Sequence, residues 1–234
     1  MTAPPGPHPR VVLEVPDAVE RDDLGVFVAR AVRLDPGVAV RLRAGTGADG
    51  RALVAAWAPT PFDALVTRAV HGRVAPWDVT VVGSDLLAAL TVVGDPSVEP
   101  GGAVDERWRG PVPAATPDGE RWSVLDTVPA DVLDGLAERG IARAREADPS
   151  GQPSAALLDQ VVLTVEGHDR AGTPDAVRVP MRCVFALAGM GFLGGVGGGD
   201  GAAPVRVSTG EGWLRLDAHG GAVVRRRRAQ LPWA

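Results

Sequence analysis

DVTVVGSDLLAAL at residues 78–90 and AVRVPMRCVFALA at residues 176–188 carry the same pattern, a short apolar strand that runs straight into an amphipathic helix. Two further steps of this kind surround them. VVLEV at 11–15 leads into the helical pattern of 17–34, and WSVLDT at 122–127 leads into that of 129–147. Four strand–helix steps in two similar pairs predict an α+β fold of two halves. A chain of 234 residues accommodates two domains of about 100 residues each.

Outward from these steps the chain divides into four parts. Residues 1–10 are a proline-rich leader, expected to be disordered. Residues 11–93 form the first half. Asp17 and Glu20 offer a capping box, and Leu24, Phe27, Val28, Ala31 and Val32 follow at helical spacing. The alternating stretch 38–43, the turn 45–50 and the returning stretch 52–57 read as a hairpin, followed by strands at 64–71 and 79–82. Ser84 is placed to cap the short helix 85–90. Residues 94–121 hold five glycines and five prolines in 28 positions and read as the linker. Residues 122–234 form the second half, with a helix over 129–147 and strands at 157–166 and 177–179. Pro180 opens a helix over 181–193, and a hairpin and a further strand follow between 205 and 225.

Composition removes several chemistries. All 24 basic residues are arginine, so no lysine is present to form a Schiff base or a phosphate-loop contact. A single cysteine, Cys183, excludes an intramolecular disulfide and a cysteine zinc cluster. The net charge of −5 argues against general binding to nucleic acid or an anionic membrane. The amino-terminal residues lack a signal-peptide pattern and the longest uncharged run is glycine-rich. A cytoplasmic protein without a membrane segment is therefore expected.

Each candidate for chemistry has a plainer structural account. GMGFLG at 189–194 matches a dinucleotide-binding string, but it follows a helix where that fingerprint requires a strand before it. A helix C-cap accounts for it. His8, His71, His168 and His219 show no metal-ligand spacing, and Cys183 stands among apolar helix residues. No catalytic residue, cofactor or metal is expected. The sharpest charge feature is Arg225, Arg226, Arg227 and Arg228, a candidate partner-binding run. On a strand only two of the four share a side.

The order strand, helix, three strands, then strand and helix resembles the sliding clamps of bacterial DNA replication, with 11–34, 38–43, 53–57, 65–70 and 79–90 as the matching stretches. Residues 177–188 followed by 205–227 are similar to the closing helix and hairpins of a clamp domain. The chain is also similar to an uncharacterised actinobacterial protein family. The resemblance implies two clamp-like halves, each an antiparallel sheet packed against two helices. A clamp that encircles DNA needs a positive helical face. The proposed helices 17–34, 84–93, 129–148 and 180–192 carry seven positive and ten negative charges, so nucleic acid is not the expected partner. A non-enzymatic protein-interaction or scaffolding protein, with a protein partner or self-association, is the expected function. The alternatives are a DNA-associated accessory protein that uses 225–228 and a small-molecule enzyme with a site between the halves.

Overall fold

The computed structural model describes residues 10–92, 95–113, 122–194 and 203–227. The leader, apart from Arg10, lies outside these residues, as do His8 and Arg228. The chain forms two compact units. One comprises residues up to Pro59 together with Thr67–Asp118, and the other Thr60–Val66 together with the chain from Gly119 onward.

In the first unit, β1 (Val12–Glu14) leads into α1 (Ala18–Leu34). The Asp17 carboxylate accepts from the backbone N–H of Val19 at 2.8 Å and of Glu20 at 3.1 Å, so half of the expected capping box forms. The other half does not. Glu20 turns instead to His71, accepting from its backbone N–H and lying 2.6 Å from its Nδ1. Leu24, Phe27, Val28 and Ala31 are buried, the apolar stripe of an amphipathic helix, while Val32 at its margin is only half-buried. The chain continues as β2 (Ala39–Thr46), β3 (Ala52–Pro59), β4 (Leu65–His71), β5 (Arg73–Ala75), β6 (Asp78–Val82) and α2 (Gly83–Leu90). Sheet order is β6-β2-β3-β4, with a smaller sheet β5-β1-β7 in which β7 is Ser97–Val98. Ser84 does not cap α2. The ladder to β2 runs through Val82, which becomes the N-cap, and the Ser84 hydroxyl donates to Asp85 at 3.3 Å.

Residues 95–113 pack on this same unit. The carbonyl of Pro96 accepts from Val15 N–H at 2.8 Å, and the Arg107 guanidinium donates to Gly37 O at 2.7 Å. Val104 N–H donates to Thr80 O at 2.8 Å, while Thr80 N–H donates to the Asp105 carboxylate at 2.6 Å. The outer edge of β6 is thereby occupied by the chain's own acidic segment.

The second unit holds β8 (Ser123–Val128), α3 (Ala130–Ala147), α4 (Ala155–Asp159), β9 (Val161–His168), β10 (Pro174–Pro180), α5 (Met181–Gly189), β11 (Val205–Gly210), β12 (Trp213–Ala218) and β13 (Gly221–Arg226). Strand order is β13-β12-β11-β8, and β9 and β10 form an antiparallel ribbon. The strand expected from residue 157 begins later, because Ser154 caps a short helix by accepting from Leu157 N–H at 3.2 Å. The helix expected to reach residue 193 stops at Gly189. Gly191 has φ 62, its N–H donates to Ala188 O, and Phe192 N–H donates to Leu187 O. This Schellman motif accounts for the 189–194 glycine string. α3 crosses α5 at Gly140, where a Cβ would lie 2.8 Å from the Phe185 ring and 2.9 Å from Met181 Cε. Only glycine lets the two helices approach this closely.

Candidate functional site

The arginines of β13 meet β10 and the α4–β9 junction along a groove of about 560 Å³ in the second unit. Its walls include Val161, Val177, Pro180 and Leu214, and its charges are Asp159, Arg178, Arg225, Arg226 and Arg227. Strand alternation, the basis for splitting the arginine run between two sides, distributes these side chains into separate roles.

Arg225 is held. Its Nε donates to Asp63 O and its Nη2 to Asp63 Oδ2, both at 3.3 Å. Asp63 adopts φ 56, a left-handed conformation that Asp tolerates, in a turn where Thr60 Oγ1 donates to Ala64 O at 2.8 Å. The same Asp63 carboxylate lies 3.0 Å from Nη1 of Arg182, whose side chain is only 7% exposed within the apolar α5. Asp159 supplies the second carboxylate to Arg182, and Phe62 O accepts from it at 3.0 Å. Two carboxylates and a carbonyl thus compensate a buried guanidinium, whose Nε alone is buried without a partner among the described residues. Cys183 follows it on α5, fully buried. Burial pushes the Cys183 thiol up to about 12, against the opposing pull of Arg225 and Arg182.

Arg227 is also held. Its two terminal nitrogens face the Asp175 carboxylate at 3.1 and 3.0 Å, and Nη2 donates to Ala176 O at 3.0 Å. The Arg227 pairing, aided by the Thr209 hydroxyl, keeps the Asp175 carboxyl below its ordinary value in spite of burial. Arg226 takes a third course. It lies over the Trp213 ring, 5.4 Å from the centroid, and remains exposed. Arg178, on β10, is exposed as well. Among the described residues no carboxylate pairs with Arg226 or Arg178. Arg228 lies outside the described residues.

Sequence reasoning missed Arg178, Asp175, Asp63 and Asp159. One signal was available: Pro174, Ala176, Arg178 and Pro180 fall on one parity of β10. Proline lacks an N–H and occupies strand positions whose N–H is not needed by the ladder. That parity marks the open edge.

A second cluster belongs to the first unit. His71 stands between Glu20 and Asp49, 2.6 Å from Glu20 Oε1 through Nδ1 and 3.3 Å from Asp49 Oδ2 through Nε2. It lines a cleft with Glu14, Asp17, Arg51 and Arg73. The Glu20 hydrogen bond holds the His71 pKa above its ordinary value, with burial and Arg51 opposing. His168 ends β9 and His219 lies in the turn after β12. Among the described residues, no cluster of three or more His, Cys, Asp or Glu side chains is arranged to hold a metal. No helix among them is long and apolar enough to cross a membrane.

Solved structures share the fold. The Caulobacter crescentus β sliding clamp superposes with TM-score 0.51 at 14% identity, over 96% of this chain and 67% of that one. A putative DNA polymerase III β subunit from Eubacterium rectale gives 0.51 at 9% identity, over 96% and 66%. The DNA polymerase III β subunit of Thermotoga maritima gives 0.50 at 12% identity, over 95% and 66%. The chain thus spans about two thirds of the length of the clamps it matches. The expected exclusion of nucleic acid finds no support here, because the proteins that share the fold are clamps and β subunits of DNA polymerases. No curated protein matches the chain in sequence. Residues 9–110 match the model of a domain of unknown function (DUF8010), residues 117–230 match that of another (DUF8185), and together they build a mixed α+β fold like that of the sliding clamps.

Proposed function

We propose that this chain is a non-enzymatic protein-interaction or scaffolding protein on a sliding-clamp-like fold, and that it holds its partner in the arginine groove of the second unit. One observation carries the proposal. Arg178 lines a groove with apolar walls and has no carboxylate partner among the described residues, while Arg225 and Arg227 beside it are already matched to Asp63 and Asp175 and Arg226 turns to the opposite face over Trp213. Structural arginines come with carboxylates, and an exposed guanidinium on an apolar-walled groove is free to meet an acidic ligand. Apolar walls from Val161, Val177, Pro180 and Leu214 suit a peptide, which brings side chains to bury, better than a phosphate backbone. Fold likeness alone does not decide between them.

The test measures fluorescence anisotropy of labelled octaglutamate and of a short DNA duplex at physiological salt. The native chain is compared with Arg178→Gln. Peptide binding that the variant weakens by about tenfold, as one lost charge-assisted contact implies, is the expected result. Duplex binding without peptide binding would put a DNA-associated role in its place.

A further inference from the structure

The open edge of β10 specifies how a ligand enters the groove. Antiparallel strands point the N–H and C=O of one residue to the same side, and alternate residues face alternate neighbours. Ala176 O accepts from Arg227 at 3.0 Å, so position 176 faces away from β9. Positions 174, 178 and 180 share that parity. Two of them are prolines, which have no N–H to offer. The Ala176 N–H is turned toward the Asp175 carboxylate. Arg178 is therefore the one residue of this edge with both an N–H and a C=O available, and its own side chain lines the groove.

The first unit shows what such an edge accepts. β6 also runs directly into a helix, and its outward residue Thr80 is bonded on both backbone groups. Val104 N–H reaches Thr80 O, and the Asp105 carboxylate takes Thr80 N–H. The occupant is the start of a short 3₁₀ turn, Asp105–Arg107, whose first carboxylate makes the contact. β10 has the same local design with no such cover among the described residues, and its surroundings carry arginine.

We infer that the groove takes an extended acidic peptide that adds to β10 as a short strand. Its backbone pairs with Arg178 N–H and C=O, and its carboxylates meet the Arg178 guanidinium. The inference rests on the protein-interaction function proposed above and narrows its partner to an acidic segment in extended conformation. Main-chain pairing supplies register, and the charges supply selectivity.

The experiment uses the full chain and two labelled octaglutamate peptides, one unmodified and one N-methylated on alternate residues, together with a single-stranded DNA of equal charge. The unmodified peptide is expected to bind, and N-methylation to weaken it roughly three- to tenfold, the worth of one hydrogen bond. Arg178→Pro sits at a position of the same parity as Pro174 and Pro180 and leaves the β9 ladder intact. It removes the outward N–H that Arg178→Gln retains, so Arg178→Pro is expected to weaken binding beyond Arg178→Gln, with circular dichroism confirming that both fold. Equal affinity for both peptides would overturn strand addition while leaving a groove that binds acidic partners. Binding of neither peptide, or of the DNA alone, would overturn the inference and the protein-interaction function together.

Discussion

β6 into α2 and β10 into α5 begin from the same sequence pattern and end in opposite situations. The edge of β6 is closed by Val104 and Asp105, and α2 is buried along one face at Gly83, Leu86 and Leu90. The edge of β10 is open to a groove, and α5 is buried from Met181 through Leu187, including the charged Arg182. The contrast places specificity at the open edge. A helix buried on all sides holds its strand in a fixed position, and carboxylates from Asp63 and Asp159 compensate the one cation it contains. Rigid support under an open strand edge is what a binding surface needs.

The largest expected effect breaks this support. Asp63→Ala with Asp159→Ala leaves the Arg182 guanidinium buried without a counter-charge and should cost about 3 kcal/mol of stability. Chemical denaturation measures it. Arg182→Met in the same background should restore most of the loss, since it removes the charge and keeps the packing. A double variant as stable as the native chain would show that Arg182 needs no compensation.

The long helices sharpen the contrast. Gly140 of α3 abuts Phe185 and Met181, whereas a Cβ at Gly25 of α1 would meet nothing within 4 Å. Gly140→Ala should destabilise by about 1–3 kcal/mol through overpacking, and Gly25→Ala should stabilise by up to about 1 kcal/mol through helix propensity. Thermal unfolding of the two variants should shift in opposite directions. Burial of α5 makes a parallel chemical prediction: Cys183, with its thiol pushed up to about 12, should not react with DTNB until denaturant is added.

The smallest expected effect separates the two units by pH. His71 titrates above its ordinary value of 6.5 when folded, so its bridge to Glu20 and Asp49 is fully present below 6.5 and is lost as pH rises through the higher folded value. The Glu20 carboxylate is held below 4.5 by its bonds to His71, despite burial, so its contribution is lost as pH falls through that lower value. Arg51 faces the same site and opposes protonation. His71→Gln should therefore lower the melting temperature between pH 5 and 6 and have progressively less effect at higher pH. The Asp175–Arg227 pair in the second unit involves an arginine that stays charged, so Asp175→Asn should cost the same across that range.

How much of this was legible follows from the distance over which each signal acts. α1 was readable because its cap at Asp17 and its stripe from Leu24 to Ala31 lie within one helix. The C-cap at Gly189–Phe192 was readable for the same reason. Glu20 was misassigned because its real partner, His71, is 51 residues away. Ser84 lost its cap because ladder bonds from β2 set where α2 begins. The arginine run drew attention as a cluster, yet its division into held and free members depends on Asp63 and Asp175, 162 and 52 residues distant. No local pattern in 95–113 announces that it covers an edge, since a segment bonded through Val104 N–H and one carboxylate needs no periodicity.

Amide hydrogen exchange at Thr80 and Arg178, without and with octaglutamate, distinguishes a closed strand edge from an open one. Thr80 N–H is already bonded to Asp105 and should exchange slowly in both conditions. Arg178 N–H should exchange fast in the free chain and slow down as the peptide saturates. Protection of Arg178 in the free chain, or fast exchange that persists at saturation, would mean that β10 has no open edge that takes a peptide strand.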